Sequence, residues 1–157
     1  MYDRISAVKY AESWWNKRNP NYYNFDNLGG DCTNFISQCL LAGGYKMNVK
    51  ENGWFYKSLT YRSPSFTGVN ELFNFATKNK EIGVRAVLCN LNEVQQGDVI
   101  QIRQSKNIFT HSLLVTKVLS TNNNIRDNIL VSTHSVDCYD RKLSEYYILE
   151  LRCLKMI

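Results

Sequence analysis

The residues best suited to nucleophilic chemistry are one cysteine, Cys32, and the only two histidines of the sequence, His111 and His134. Cys32 follows Gly29-Gly30-Asp31 and opens a predicted helix, where the positive end of the helix dipole stabilises a thiolate. Backbone N–H groups at that helix start can also bind the oxyanion that forms on an attacked carbonyl. We therefore expect Cys32 to be an exposed, acidic nucleophile.

His111 opens a predicted strand after a polar stretch, residues 103–110, so its ring can face a cleft at the end of a sheet. An imidazole there can take the proton of Cys32 and later protonate the leaving amine. His134 lies on the next predicted strand, and pairing position 111 with position 134 or 136 puts both histidines on one face, whereas pairing with 135 separates them. We expect the shared face, with His134 accepting a hydrogen bond that fixes the tautomer of His111.

The sequence also permits a metal site, because Cys32, His111, His134 and Cys138 are residue types that bind zinc. No two of them have the close spacing of a zinc finger, and no CxxC motif occurs. The five cysteines are an odd number, so at least one thiol is free or bonded to another chain. We expect no metal and no cofactor, and we expect most of the cysteines to be buried small apolar residues.

Three helices are predicted in the first half of the chain, where apolar residues recur every three or four positions. Their predicted spans are residues 3–18, from Asp31 or Cys32 to the Gly43-Gly44 pair, and 69–80. Asn19-Pro20 ends the first helix, because the residue before a proline avoids the helical conformation. Residues 45–68 show no clear period, so we expect mostly loop there.

The second half of the chain alternates apolar and polar residues, a pattern that predicts strands. The predicted strands are residues 98–103, 111–118, 129–135 and 146–154. Residues 120–127 are rich in asparagine and predict the turn between the second and third strands. Helices first and antiparallel strands afterwards indicate an α+β fold in which N-terminal helices pack on an antiparallel sheet.

The bulk properties exclude several classes of protein. The chain has 157 residues and a formal net charge of +5, carried by dispersed lysines and arginines. No apolar run approaches the roughly 20 residues of a membrane span, and no basic segment followed by an apolar one opens the chain. We therefore expect no membrane span and no signal peptide, which suits an excised domain or a protein released by lysis. Aromatic residues do not alternate with a basic stripe, so we expect no nucleic-acid partner, and we expect a monomer.

The segment from Gly29 to Gly44, GGDCTNFISQCLLAGG, closely resembles the nucleophile segment of the bacterial "putative amidase" domain family. That family is related to the NlpC-type and CHAP cell-wall peptidases, which share a papain-like fold. The resemblance extends along the whole chain. Its other landmarks are Tyr2-Asp3-Arg4, Asn19-Pro20-Asn21-Tyr22 with Phe25, Gly53-Trp54, Gly97-Asp98, His111-Ser112 and the segment 133–137.

The resemblance implies a role for each candidate residue. Cys32 becomes the nucleophile and His111 the base, His134 orients the base, and Asp137 is the reserve for that task. In related peptidases a tyrosine upstream of the cysteine helps to bind the oxyanion, and Tyr22 is the nearest match. The full set of oxyanion or substrate candidates is Tyr22, Asp31, Trp54 and Asp137.

The resemblance also implies what kind of enzyme this is. Residues 1–157 would form a single papain-like amidase domain that cuts amide bonds in peptidoglycan, as an amidase, endopeptidase or endolysin at the bacterial cell wall or outside the cell. Two alternatives remain open. One is an acyl-transfer or deamidase enzyme that acts on protein, and the other is an inactive wall-binding module, against which the intact Cys32 and His111 argue.

Overall fold

The computed structural model describes residues 1–105 and 107–157 and has the expected α+β composition. Within these residues the helices are α1 Arg4–Trp14, α2 Cys32–Ala42, α3 Pro64–Thr67 and α4 Val69–Lys78. The strands are β1 Ala86–Cys89, β2 Val99–Arg103, β3 His111–Val118, β4 Ile129–Thr133, β5 Cys138–Lys142 and β6 Glu150–Met156. No helix in the described part of the chain is long and apolar enough to cross a membrane.

The six strands form one antiparallel sheet in the order β1-β6-β2-β3-β4-β5. The sequence predicted the four inner strands and missed both edge strands. β1 has only four residues, and β5 carries the polar run Asp140-Arg141-Lys142, so neither shows a clear alternation. An edge strand is stabilised by pairing with one neighbour, and that pairing does not require an apolar face.

Helix α1 is shorter than predicted, because it ends at Trp14 instead of residue 18. The Trp14 carbonyl accepts a hydrogen bond from the His134 ring at 2.8 Å and one from the backbone N–H of Lys17 at 3.3 Å. A continuing helix would use that carbonyl for the N–H of Arg18. A tertiary contact therefore ends this helix before Asn19-Pro20 is reached.

The two faces of the sheet bury different cores. The helices cover one face, where Leu114 of β3 packs in the cluster that holds Phe35 of α2. The opposite face packs around Leu113 and Val115 in a second cluster that includes Leu143. Because side chains alternate along a strand, Ser112 lies on the helix face with Leu114, while His111 lies on the other face with Leu113.

Helix α2 is the most deeply buried element of the site, and all residues from Cys32 to Leu40 are buried. Its apolar side, predicted from the sequence, packs in the main core. Its buried polar side chains are bonded to other elements: Thr33 to Ser112 on β3, and Ser37 to the carbonyl of Phe66 on α3. These bonds fix the rotation of α2 against the sheet, and with it the direction of its first turn.

A buried ion pair anchors α1 to the sheet. Arg4 donates to Asp98 at 2.6 Å and to the carbonyl of Met156 at 2.6 Å. Asp98 is completely buried and also accepts the backbone N–H groups of Gln95 and Met156, both at 2.9 Å. The Gly97-Asp98 landmark of the sequence therefore holds together the start of β2, the end of β6 and helix α1.

We expect Asp98→Asn to lower the free energy of unfolding by about 3 kcal/mol, because the half-buried Arg4 then lacks its counter-charge and the buried backbone N–H groups of Gln95 and Met156 lose a charged acceptor. Urea unfolding followed by circular dichroism measures this loss. The matched control is Asp140→Asn, which removes only the pair with the exposed Lys117 and is expected to cost much less. Equal losses in the two variants would contradict the anchoring role of Asp98.

Candidate active site

Cys32 is the first residue of α2, but its thiol is not the exposed, acidic group that we expected. Its side chain is 5% exposed. Burial raises the pKa of the Cys32 thiol, and hydrogen bonds from the backbone N–H of Ser112, the Thr33 side chain and the Thr33 N–H only partly offset that effect. The Cys32 side chain is therefore a neutral thiol at pH 7.

Asp31 occupies the N-cap position of α2 without capping the helix through its side chain. One carboxylate oxygen instead accepts the backbone N–H of Phe25 and the amide of Asn34, both at 2.9 Å. The N–H groups at the helix start are thus free of a side-chain cap and can serve Cys32 and an oxyanion. Asp31 holds the loop before Cys32, and its carboxylate is closed to a substrate, since the residue is 1% exposed.

The second oxygen of Asp31 binds His134, and this contradicts the predicted role of His134. Nδ1 of His134 lies 2.6 Å from Asp31 Oδ2, and Nε2 lies 2.8 Å from the carbonyl oxygen of Trp14. The ring also stacks on Phe35, with 3.9 Å between ring centroids. Both ring nitrogens are occupied, so His134 does not orient His111.

The strand register gives the reason. Near the turn, Lys117 pairs with Leu130, a register that would extend to pair position 111 with 136 and put both histidines on one face. A bulge between Val115 and Lys117 shifts the register, so that Leu114 pairs with Ser132 and position 111 falls opposite 135. This shift of one residue places His134 on the helix face and His111 on the other.

The contact between His134 and Asp31 holds a shared proton. The Trp14 carbonyl can only accept, so Nε2 of His134 carries a hydrogen. A second proton then lies in the 2.6 Å contact between Nδ1 and the Asp31 carboxylate. Such charge-assisted bonds are stronger than neutral ones, and this one ties the end of β4 to the end of α1 and the start of α2.

Asp137, the reserve orienting residue, binds an arginine and not His111. Both of its oxygens accept hydrogen bonds from Arg18 at 2.9 Å. Partial burial raises the pKa of Asp137, but the hydrogen bonds and charge of Arg18 outweigh this effect and lower the pKa overall. Arg18 also lies 3.4 Å from Asp31 and 2.8 Å from Asp26, so it links the loop before α2 to the loop after β4.

The two aromatic candidates belong to the core. Trp54 is completely buried and donates its indole N–H to Ser37 at 3.1 Å, so it offers no surface to a substrate. Tyr22 packs on Tyr56 and Phe66, with centroid distances of 5.1 and 6.1 Å. In residues 1–105 and 107–157 no hydrogen bond joins Tyr22 to Cys32, so the structure gives no contact through which Tyr22 would bind the oxyanion.

His111 faces a cleft of about 360 Å³. Burial lowers the pKa of His111 to about 4, and the nearby charge of Arg141 contributes to the decrease. The ring is therefore neutral at physiological pH and able to accept a proton. Ser135 also lines this cleft, and its hydroxyl accepts the backbone N–H of Asp31 at 2.9 Å, so the cleft adjoins the turn that carries Cys32.

The structure brings Cys32 next to the strand that carries His111 without joining the two side chains. The sulfur lies 3.8 Å from the Thr33 hydroxyl, which is 2.9 Å from the hydroxyl of Ser112, the residue after His111. Within the described parts of the chain no hydrogen bond connects the Cys32 thiol to the His111 ring. Catalytic hydrogen bonds are often long or absent before substrate binds, so this geometry is compatible with a Cys-His pair that forms in the complex.

A buried chain of hydrogen bonds reaches Cys32 from the far edge of the helix face, and the sequence analysis missed it. Arg152 donates to Gln101 at 2.8 Å, and Gln101 donates to Ser112 at 3.1 Å. The hydroxyls of Ser112 and Thr33 are 2.9 Å apart, and Thr33 lies 3.8 Å from the Cys32 sulfur. Gln101, a buried amide in an apolar strand, was the signal in the sequence for this network.

In this series of hydrogen bonds, each group donates to the next one in the direction of the Cys32 sulfur. Gln101 also donates to the carbonyl of Val69 at 2.8 Å, which fixes its amide so that the oxygen receives Arg152 and the nitrogen faces Ser112. Ser112 can then donate to Thr33, and Thr33 to Cys32. This direction favours negative charge on the sulfur and opposes the effect of burial.

The alternative zinc site is not assembled. No group of three or more histidine, cysteine, aspartate or glutamate side chains suited to a metal ion occurs in residues 1–105 or 107–157. Cys138 lies 3.3 Å from the hydroxyl of Tyr146, and His134 is bonded to Asp31.

We expect His134→Ala, His134→Asn and His134→Gln all to lower the free energy of unfolding, by about 3 kcal/mol or more for alanine. The physical reason is that Asp31 and the Trp14 carbonyl need donors at opposite ends of one planar ring, which an amide cannot provide. Denaturant titration measures this effect. Asp137→Ala is the comparison and should cost about 1 kcal/mol, because Arg18 keeps its other partners. Full stability of His134→Gln would contradict the assignment.

We expect iodoacetamide at pH 7 to label Cys89, which is half-buried, before the buried Cys32, Cys39, Cys138 and Cys153. Labelling of Cys32 should increase as the pH is raised into the alkaline range, because burial raises the pKa of its thiol. Mass spectrometry of the labelled peptides gives the order. Rapid labelling of Cys32 at neutral pH would instead show the acidic thiol that the sequence predicted.

The uncharacterized protein YhbB of Bacillus subtilis (strain 168) is 46% identical over 104 residues, which cover 64% of this chain and 32% of YhbB. The uncharacterized protein YjcM of the same strain is 27% identical over 123 residues, which cover 73% of this chain and 28% of YjcM. The matched region is thus about a third of the length of these curated relatives. No solved structure shows significant similarity. The family model described as "Putative amidase domain" matches residues 1–153, and the chain therefore belongs to that family.

Proposed function

We propose that this chain is a cysteine-dependent amide hydrolase, with Cys32 as nucleophile and His111 as base, in a single papain-like domain over residues 1–157. The observation that carries the proposal is the position of Cys32 at the start of α2, where the Thr33 hydroxyl links it to Ser112, the residue after His111. Membership of the amidase-domain family supports amide cleavage as the reaction.

The proposed reaction has two halves. His111 takes the proton of Cys32, the sulfur attacks the carbonyl carbon of the amide, and the oxyanion binds at the N-terminus of α2. His111 then gives its proton to the amide nitrogen, the C–N bond breaks, and the amine leaves a thioester. Water, deprotonated by His111, attacks the thioester, which releases the acid and restores the thiol.

Proton transfer requires His111 to come within hydrogen-bond reach of Cys32. The two side chains lie on opposite sides of β3, so this takes a movement at the start of β3 that brings the ring around the end of the sheet. In the described residues the His111 side chain has no hydrogen-bond partner, so this movement breaks no hydrogen bond of the ring. We propose that substrate in the adjoining cleft drives this movement. A neutral imidazole and a neutral thiol are the resting pair, and negative charge on sulfur develops only as the substrate is attacked.

The proposed substrate is peptidoglycan, which the resemblance to NlpC-type and CHAP peptidases implies, and the proposed place of action is the cell wall or the space outside the cell. The formal net charge of +5 supports this substrate, because a basic protein is attracted to an anionic wall. The family assignment supports amide cleavage and names no substrate, so the experiment has to identify the bond.

We expect purified peptidoglycan incubated with the protein to yield new amino and carboxyl ends, identified by mass spectrometry of the soluble fragments. Cys32→Ala should abolish the release, and His111→Gln should lower kcat by roughly a hundredfold or more because the base is lost. On a soluble peptide amide, kcat/KM should fall at low pH with an apparent pKa near 4, since His111 must be neutral to act.

The matched control is Cys89→Ala, which removes a half-buried thiol on the edge strand β1 and should keep full activity. An acid limb near pH 6.5 would show that His111 is not held neutral as the structure indicates. Full activity of Cys32→Ala would overturn the nucleophile assignment. Conversion of a side-chain amide to an acid in a protein, with no cleavage of peptidoglycan, would favour a deamidase.

A further inference from the structure

The cleft beside His111 contains an arginine, Arg141, that forms no ion pair with a carboxylate among the described residues. Arg141 lies on β5, where it pairs with Val131, and Val131 pairs with Val115 of β3. These pairings place Arg141 on the same face of the sheet as His111. Both side chains line the same cleft of about 360 Å³.

Each carboxylate near Arg141 is bonded elsewhere. Glu145 accepts the backbone N–H of Lys142 at 3.1 Å, and Asp137 accepts both of its bonds from Arg18. Asp140 pairs with Lys117 across the sheet. No ion pair to Arg141 occurs in residues 1–105 and 107–157. Its only partners there are the carbonyl of Glu145 at 3.3 Å and the Tyr146 side chain.

The contacts of Arg141 hold it in place without neutralising it. The guanidinium carbon lies 4.3 Å from the centroid of the Tyr146 ring, a cation–π geometry that fixes the plane of the group and leaves its edge available for a bidentate acceptor. A half-buried arginine that is fixed by stacking and has no counter-ion is suited to bind a carboxylate of a ligand.

The rim of the cleft is a strained loop. Ser135 and Val136 have φ angles of 63° and 70°, a left-handed conformation that β-branched residues rarely adopt. Val136 is nevertheless 76% exposed, and Tyr147, which also lines the cleft, is 69% exposed. The Ser135 hydroxyl accepts the Asp31 N–H at 2.9 Å, which helps to hold this conformation. Strain kept beside an open apolar surface is typical of a binding site.

We infer that this cleft is a substrate subsite in which Arg141 binds a carboxylate of the peptide next to the amide bond that is cut. The inference rests on the proposed function, because it takes Cys32 and His111 as the reacting pair. Tyr146, Tyr147 and Val136 supply the apolar walls for the neighbouring side chain. The substrate class is thus a peptide or peptidoglycan stem with a free carboxylate close to the scissile bond.

A bound carboxylate would also act on the base. The groups that face His111 in the cleft are Arg141, Tyr146 and Glu145, and the charge of Arg141 opposes a proton on the His111 ring. Neutralising Arg141 removes that opposition, so His111 accepts the Cys32 proton more readily when the correct substrate is present. Binding and activation of the base are then coupled through one side chain.

The test compares two peptides of equal length, acetyl-Ala-Glu-amide and acetyl-Ala-Gln-amide, which differ by one carboxylate. Binding is followed by NMR titration of the full chain, with the His111 ring and the Arg141 side chain as reporters. We expect the glutamate peptide to bind about tenfold to a hundredfold more tightly than the glutamine peptide. Arg141→Gln should remove the difference, and Arg141→Lys should restore part of it.

The matched control is Lys142→Gln, which removes an exposed neighbouring charge and should keep the preference for the glutamate peptide. Equal binding of both peptides to the unaltered protein, or a preference that persists in Arg141→Gln, would overturn the subsite. Tighter binding of inorganic phosphate than of the glutamate peptide at these reporters would also overturn it. Binding does not require Cys32, so a preserved preference together with full peptidoglycan cleavage by Cys32→Ala would refute the proposed nucleophile and leave the subsite standing.

Discussion

The bonded pair of Asp31 and His134 is the constraint on which the rest of the site depends. A carboxylate that is 1% exposed has to be fully satisfied, and each of its bonds fixes one segment: the Phe25 loop, α2 and the end of β4. Through His134 the same bonds reach the Trp14 carbonyl and end α1. The turn that carries Cys32 is therefore held by buried polar bonds on several sides.

The start of β3 separates two polar systems. On the helix face, Ser112 links the Cys32 sulfur through Gln101 to Arg152, and on the other face His111 shares a cleft with Arg141. Each system ends in an arginine that packs on an aromatic ring. The guanidinium carbon of Arg141 lies 4.3 Å from the centroid of the Tyr146 ring, and that of Arg152 lies 3.7 Å from the centroid of the Phe73 ring. The site thus combines a buried neutral thiol, a neutral imidazole and two fixed cations, an arrangement that would favour the negative charge that develops in the proposed reaction.

Much of the fold could be predicted from local pattern. The bounds of α2 and β3 match the prediction closely, because a glycine pair ends the helix and apolar alternation marks the strand. The prediction for α1 was too long, since a histidine 120 positions away takes the Trp14 carbonyl. Trp54 was predicted as a substrate residue and is a core residue, because a Gly-Trp landmark in the sequence does not reveal how deeply the ring is buried.

The sequence by itself determined the residue types of the site and their places on the elements: a cysteine at a helix start and a histidine at a strand start. These follow from periodicity and end signals that act over a few residues. Only the tertiary structure decided which groups meet. Side chains alternate along a strand, so the bulge between Val115 and Lys117 moves His134 from the face of His111 to that of Asp31. A single extra residue in one strand of a pair has no signature in the local sequence. It nevertheless decides that His134 contacts Asp31 and not His111.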